Sequence, residues 1–295
     1  MPMTEQTPHD HTPHDSLEEE LAGLDALDKA FQPSSSRGSQ LWSSIWPKIA
    51  AVAFLIGGWQ LVVWSGWKEQ FILPSPFTTF KTLGSLASEG VFWKAVGITI
   101  KRAVEGYFLA LVIGAVVGIA VSRVRFLRLA IGSFITGLQT MPSIAWFPLA
   151  ILFFGISEGA ILFVIVLGAA PSIANGVISG VDHVPPALSR TGKVLGAGRI
   201  ALYRHFIIPA ALPTFISGLK QGWSFAWRSL MAGELLVIIA SKPSIGSRLQ
   251  FARDFSDAPA LIAYMIVIFV IGVLADSLFT QADTTMRRRR GLVDH

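Results

Sequence analysis

Cysteine is absent from this chain, which excludes disulfide staples, thiolate nucleophiles and Cys-ligated zinc, and leaves its redox compartment unreadable. Charge is also scarce: only 15% of the 295 residues are Asp, Glu, Lys or Arg, against 52% hydrophobic residues and a mean hydropathy of +0.56. A soluble fold of this length could not wet its surface with so little charge, so the composition implies an integral membrane protein. No Gly-x-x-x-x-Gly-Lys-Ser/Thr loop is present, so the chain cannot itself cradle a nucleotide. No basic run is interleaved with aromatics, so no nucleic-acid partner is expected, and the net charge of +5 is better explained by membrane topology. No Ser, His and Asp set forms a recognisable triad, and His183 and His205 have no paired carboxylate motif; no enzyme is expected. Met1 is not followed by a charged, then apolar, then small-residue pattern, so no cleaved signal peptide is expected.

What is present is a set of long apolar runs. A bilayer core of about 30 Å takes about 20 apolar residues per helix. Six runs approach that length, at 49–64, 96–121, 129–154, 160–178, 209–240 and 258–279, the first extending back through Leu41 and Trp46. The expected class is an all-α polytopic membrane protein of about six transmembrane helices. Its expected organisation is a hydrophilic tail (1–40), a first helix with an outer loop (41–95), a core (96–281) containing a cytoplasmic loop (181–209), and a basic tail (282–295). Bases gather between spans two and three (Arg123, Arg125, Arg128), between four and five (Arg190, Lys193, Arg199, Arg204), and after six (Arg287 to Arg290). The positive-inside rule makes that side, and both termini, cytoplasmic. The segment 241–257 reads as an outer loop, either a docking surface or simply solvated. In the first tail, Ser16 and Glu19 form a capping-box pattern ahead of Leu17, Leu21, Leu24, Leu27 and Phe31, so two readings stand: a short amphipathic helix or a solvated tail. His9, His11 and His14 lie in a Pro-rich run without the supporting shell that a metal site needs, and no metal is expected there.

The most regular polar stretch is Arg190-Thr191-Gly192-Lys193-Val194-Leu195-Gly196-Ala197, followed by Phe206-Ile207-Ile208-Pro209. Pro185 and Pro186 suit the first turn of a helix, and Gly196 suits the left-handed position that ends one. A short cytoplasmic helix over 184–195 is therefore expected. Gly198 then allows a turn, and Pro209 opens the next membrane helix. Held at both ends by transmembrane helices, such a helix would transmit a push and fit a groove on a soluble subunit.

This spacing resembles the EAA loop of ABC-importer permeases. From Ile72-Leu73-Pro74-Ser75-Pro76 to about Leu278 the chain is similar to the nitrate, sulfonate, taurine and bicarbonate group of those permeases, most of all the aliphatic sulfonate members. Further matching landmarks are Lys101-Arg102 with Gly106, Gln139-Thr140-Met141-Pro142, Trp146-Phe147-Pro148-Leu149, Phe153-Phe154-Gly155-Ile156-Ser157-Glu158, Ala226-Trp227-Arg228 and Met231-Ala232-Gly233-Glu234. Where the family motif has Glu-Ala-Ala, this chain has Arg190-Thr191-Gly192, without the acid that would pair with a base on the ATPase.

The resemblance implies a type I ABC-importer permease working as a pair with a second copy of itself. Two ATP-binding cassette ATPases would carry ATP and Mg, an extracytoplasmic binding protein would deliver substrate, and this chain would hold no cofactor. ATPase coupling is expected at Arg190, Thr191, Gly192, Leu195, Gly196, Ala197 and Pro209. Ionisable residues inside membrane helices usually mark a path or an internal pair, and Arg102, Arg228 and Glu234 qualify. One reading gives Arg102 and Arg228 to an anion path, with Gln139 and Thr140 as neutral hydrogen-bonding groups. The other pairs Arg228 with Glu234 and lets Arg102 reach the outer interface. A secondary transporter or a membrane scaffold would share the composition, but neither needs the loop from Arg190 to Pro209.

Overall fold

A computed structural model describes residues 37–289. The expectations for the first tail and its histidines lie outside these residues. Helix α1 (Arg37–Trp64) belongs to a unit of its own that ends at Leu61. Its segment Ile45–Trp64 is long and apolar enough to span a bilayer.

In the second unit, helix α2 (Pro76–Ala87) starts where the Ser75 hydroxyl accepts from the Thr78 N–H (3.2 Å) and Pro76 enters the first turn. Helix α3 (Gly90–Arg123) follows; helix α4 (Arg125–Thr140), a 3-10 turn (Ser143–Trp146) and helix α5 (Phe147–Phe154) come next. A single span was expected over 129–154, but its two halves meet at a bend of 104°. Pro142 accounts for the break: the residue before a proline is pushed out of the helical region, and Met141 is extended (φ −73°, ψ 129°).

Helix α6 (Glu158–Asp182) is the core of this unit, with Ile161, Val164, Ile165, Ala169 and Ile173 all buried. Small residues let its neighbours come close. Helix α3 presents Ala103, Gly106, Ala110, Gly114 and Gly118 at spacings of three and four, and a Cβ added at any of these three glycines would run into Ile165, Ile173 or Val177. On the other side Gly176 meets Gly218, backbone to backbone, so tightly that a Cβ on Gly176 would stand 2.7 Å from the Gly218 Cα.

The loop after α6 carries helix α7 (Pro186–Val194) and helix α8 (Arg199–Leu202). A π-helical turn (Tyr203–Ile207) then leads into helix α9 (Ile208–Leu236). As expected, Pro209 stands in the first turn of this membrane helix, although the π turn before it keeps the stretch from Ile200 to Leu236 helical throughout. The wide turn, in which the Ile208 N–H reaches back to Tyr203 O, makes room for a ring that would otherwise clash with the preceding turn. Helix α10 (Ile245–Asp254) is closed by a Ser244/Ser247 capping box, and helix α11 (Ala258–Arg289) ends the described chain. Among the described residues five helices can cross a membrane, or six if the bent pair is one span.

Candidate coupling surface and transmembrane path

Helix α7 ends as its sequence implies. Gly196 has φ +77°, its N–H donates to Lys193 O (3.0 Å), and the Ala197 N–H donates to Gly192 O (2.9 Å), the two bonds of a Schellman cap. Gly192 is buried: a Cβ there would stand 2.5 Å from Leu202 Cδ1 and 3.3 Å from the Phe206 ring. Where the family motif carries an alanine, this chain has removed even the methyl group, and helix α7 lies flush on the turn that leads into α9. The opposite side is open. Arg190, Thr191 and Lys193 are exposed beside Val194 (87%), Leu195 (71%) and Ile200 (84%), an apolar patch edged with bases. Two contacts bring the Arg123 to Arg128 segment to the same end of the bundle: Arg128 pairs with Asp182 at 2.7 Å, and the Arg123 guanidinium lies 4.4 Å from the Tyr203 ring centroid. Pro209 lies in the first turn of α9 and is half-buried.

At the far end of α3, Arg102 is almost wholly buried. Its Nε and Nη2 donate to the two Glu158 oxygens (2.8 and 2.7 Å), and its Nη1 donates to Glu234 (2.9 Å). Glu234, fully buried, also accepts from the Gly246 N–H (3.0 Å) and lies 2.9 Å from the Thr99 hydroxyl, which itself accepts from the Ile245 N–H (3.0 Å). Lys242 reaches Glu158 from the loop before α10 (3.3 Å). The chain Lys242, Glu158, Arg102, Glu234 thus alternates in sign from surface to core, and it anchors α10 to the ends of α3, α6 and α9. Arg102 is bound to carboxylates here rather than reaching the outer interface, and its partner Glu234 is not paired with Arg228.

Arg228 stands elsewhere. Its Nε donates to Ser224 O (3.2 Å), its guanidinium lies 5.1 Å from the Phe225 ring centroid, and among the described residues it has no carboxylate partner. It lines a cavity of about 330 Å³ together with Gln139, Thr140, Trp146 and Gly168, at the break between α4 and the 3-10 turn. Gln139 is fixed from behind: it donates to Ser172 (3.1 Å) and accepts from Asn175 (3.2 Å). Three of the path residues expected from sequence therefore share one cavity, and Arg102 and Glu234 lie in the ion cluster instead.

Several groups were missed in the sequence. Glu158 entered only as the last residue of a landmark of the resemblance, whereas it is the shared acid of two bases, Arg102 and Lys242. Asn175, Lys220 and Asp276 lie inside predicted spans, and a lone ionisable residue in an apolar run was signal enough for the last two. In the structure Lys220 Nζ stands 3.2 Å from Asp276 and donates to Thr280 (2.8 Å).

A multi-pass helical bundle with a capped, exposed loop helix at one end and a polar break within a span is the framework of a membrane transport subunit. The chain belongs to the family described as binding-protein-dependent transport system inner membrane component, whose pattern matches residues 84–288. A Bacillus subtilis (strain 168) protein provisionally named an aliphatic sulfonates transport permease protein is 30% identical over 225 residues, covering 76% of this chain and 80% of its own. The taurine transport system permease protein of Escherichia coli (strain K12) is 28% identical over 233 residues, covering 77% of this chain and 84% of its own. Among solved structures, a chain of the inward-facing MetNI methionine ABC transporter superposes with a TM-score of 0.56 at 17% identity, over 66% of this chain and 96% of that one, which bears on the fold alone. The protein is thus an ABC-importer permease, multi-pass in the membrane. It is not itself an enzyme; ATP is hydrolysed on a separate subunit, and a substrate-binding protein serves the same importer.

Proposed function

We propose that two copies of this chain form an anion path at their shared interface, and that the importer carries aliphatic sulfonates. The observation that carries this reading is Arg228: a guanidinium with no carboxylate partner among the described residues, at a polar cavity formed by a break in a membrane span. Irregular backbone at membrane depth is tolerated where it lines a cavity rather than lipid. Gln139 and Thr140 supply neutral hydrogen bonds to the same space, as in binding sites where a few polar groups fix a small ligand. The Bacillus and Escherichia relatives are named for sulfonates and for taurine, itself a sulfonate, which supports that class.

In this reading both termini are cytoplasmic, and two ATPases, holding ATP and Mg, seat on the face of α7 formed by Arg190, Thr191, Val194 and Leu195. Gly192 and the Gly196-Ala197 cap hold that face at a fixed angle to α9. Closure of the ATPases then rocks the paired bundles between inward and outward access, and hydrolysis resets them. Arg102 and Glu234 serve as structural anchors beside the path.

Growth tests the substrate and the site together. A strain lacking this chain is expected to fail on ethanesulfonate as sole sulfur source and to grow on nitrate as sole nitrogen source. The wild-type chain should restore growth, and Arg228→Gln should not. Failure on nitrate alone would keep the architecture and move the substrate; full restoration by Arg228→Gln would remove Arg228 from the path.

A further inference from the structure

Helix α9 carries Ser217, Lys220, Gln221, Ser224 and Arg228 at helical spacings of three and four, which puts them on one side of the helix. The other side, with Gly218, Gly222, Ala226, Leu230 and Gly233, is buried against the bundle. The polar side is open: Ser217, Gln221 and Arg228 are exposed, and Lys220 and Ser224 are half-buried. Lys220 lies about 24 Å along α9 from Leu236 and about 18 Å from Ile208, at 1.5 Å per residue, so it stands well inside the helix rather than at either end. Its partner Asp276 is about 27 Å from Ala258 by the same measure. Charged side chains at that depth face a bundle interior or a water-filled cavity rather than acyl chains. Yet both remain substantially exposed in the single chain, Lys220 at 38% and Asp276 at 49% of the side chain. A cavity of about 250 Å³ opens beside Lys220, lined also by Ser217, Gln221, Ser224 and Asp283, whereas Asp276 faces a separate, mostly apolar pocket.

We propose that this polar seam is the onward path of the transported anion, with Lys220 as a second station about 12 Å along the helix from Arg228 at 1.5 Å per residue. The inference rests on the reading of the Arg228 cavity as the path. The two cations differ in a useful way. Arg228 is free to receive an anion, whereas Lys220 is held by Asp276 and by Thr280. An anion leaving Arg228 competes with Asp276 for the ammonium, and the carboxylate, recovering its partner, sends the anion on. A counter-ion of this kind keeps the second station from holding its cargo too tightly.

The absence of cysteine makes the seam directly measurable. The Gln221→Cys and Thr140→Cys chains are assembled with their ATPase and binding protein in proteoliposomes. Each is reacted with the anionic 2-sulfonatoethyl methanethiosulfonate and with its cationic trimethylammonium counterpart, without nucleotide and after vanadate trapping, with the unsubstituted importer as blank. Relative to a free thiol, Gln221→Cys is expected to favour the anionic reagent about twofold, a modest bias because Lys220 shares the cavity with Asp283 and is itself paired with Asp276. Asp276→Asn should raise that preference. Lys220→Met combined with Asp276→Leu should abolish it, although no net charge is removed and an apolar pair keeps α9 packed on α11. Lys220→Arg should preserve it.

An unchanged preference in the Lys220→Met/Asp276→Leu chain, or a Gln221→Cys that reacts with neither reagent in either state, would show that the pair merely joins two helices. Thr140→Cys separates the two levels of the argument. If it favours the anionic reagent while Gln221→Cys does not, the cavity stays on the path and the second station falls; if neither shows a preference, both fall.

Discussion

Replacing Glu234 by alanine leaves the Arg102 guanidinium with one carboxylate instead of two and the Gly246 N–H with no acceptor, all inside a dry core. Breaking a buried pair from one side costs about 3–5 kcal/mol, so Glu234→Ala is expected to lower the melting temperature of the purified importer sharply. Glu158→Ala should cost somewhat less, about 2–3 kcal/mol, because it strips two bonds from the buried Arg102 guanidinium but its own side chain is 30% exposed and water can replace part of what is lost. Lys242→Ala, at the half-exposed end of the chain, should fall within about 0.5 kcal/mol. A melting series that did not follow this gradient from core to surface would contradict the cluster's anchoring role. Arg102 and Glu234 stood out in the sequence as charges inside spans, but their pairing was not legible, because Arg102 meets Glu158 and Glu234 across separations of 56 and 132 residues. The nearer pairing, Arg228 with Glu234, fails for a local reason: on one helix only residues three or four apart face each other.

At the scale of elements, helix α7 can be tested for what it touches and for how it ends. Leu195 is exposed and supports nothing within the chain, so Leu195→Asp is expected to leave the melting temperature unchanged while reducing copurification of the ATPase at least several-fold. Gly196→Ala puts a Cβ on a residue at φ +77°, which costs about 1 kcal/mol. It is expected to lower binding-protein-stimulated ATP hydrolysis more than basal hydrolysis, since the strain falls on the angle between α7 and α9 and not on the nucleotide site. The end of α7 was legible because proline at the start and glycine past the end leave local signatures. The break after Thr140 was equally local, written in Met141-Pro142, but its apolar surroundings read as one continuous span. Helices α2 and α10 escaped notice because both are too short for a membrane-length pattern and lie in stretches read as loops.

For the molecule as a whole, hydropathy was enough to find the spans of the second unit, since twenty apolar residues in a row have few other uses. Their ends were set too short: α3 and α6 continue past the apolar runs, to Arg123 and Asp182, where charged side chains are tied to neighbouring segments. The site was legible as a list of residue types and not as an arrangement. Gln139, Thr140 and Arg228 do meet, but only because a bent span and a third helix bring them to one cavity.

The way charge is shared out has an electrical outcome. Lys242, Glu158, Arg102 and Glu234 sum to zero, and so do Lys220 and Asp276, so a membrane potential exerts almost no net force on either group as the bundles move. Arg228 has no such partner among the described residues. Moving one elementary charge through the whole potential involves about 2.3 kcal/mol per 100 mV, and an anion entering a negative interior moves against it. On the proposed path, an anion bound at Arg228 is half of a neutral pair for that part of the crossing. Import through the wild-type chain should therefore slow less than import through Arg228→Gln as a potassium diffusion potential makes the interior of proteoliposomes more negative. Whatever transport Arg228→Gln retains should slow as the interior is made more negative.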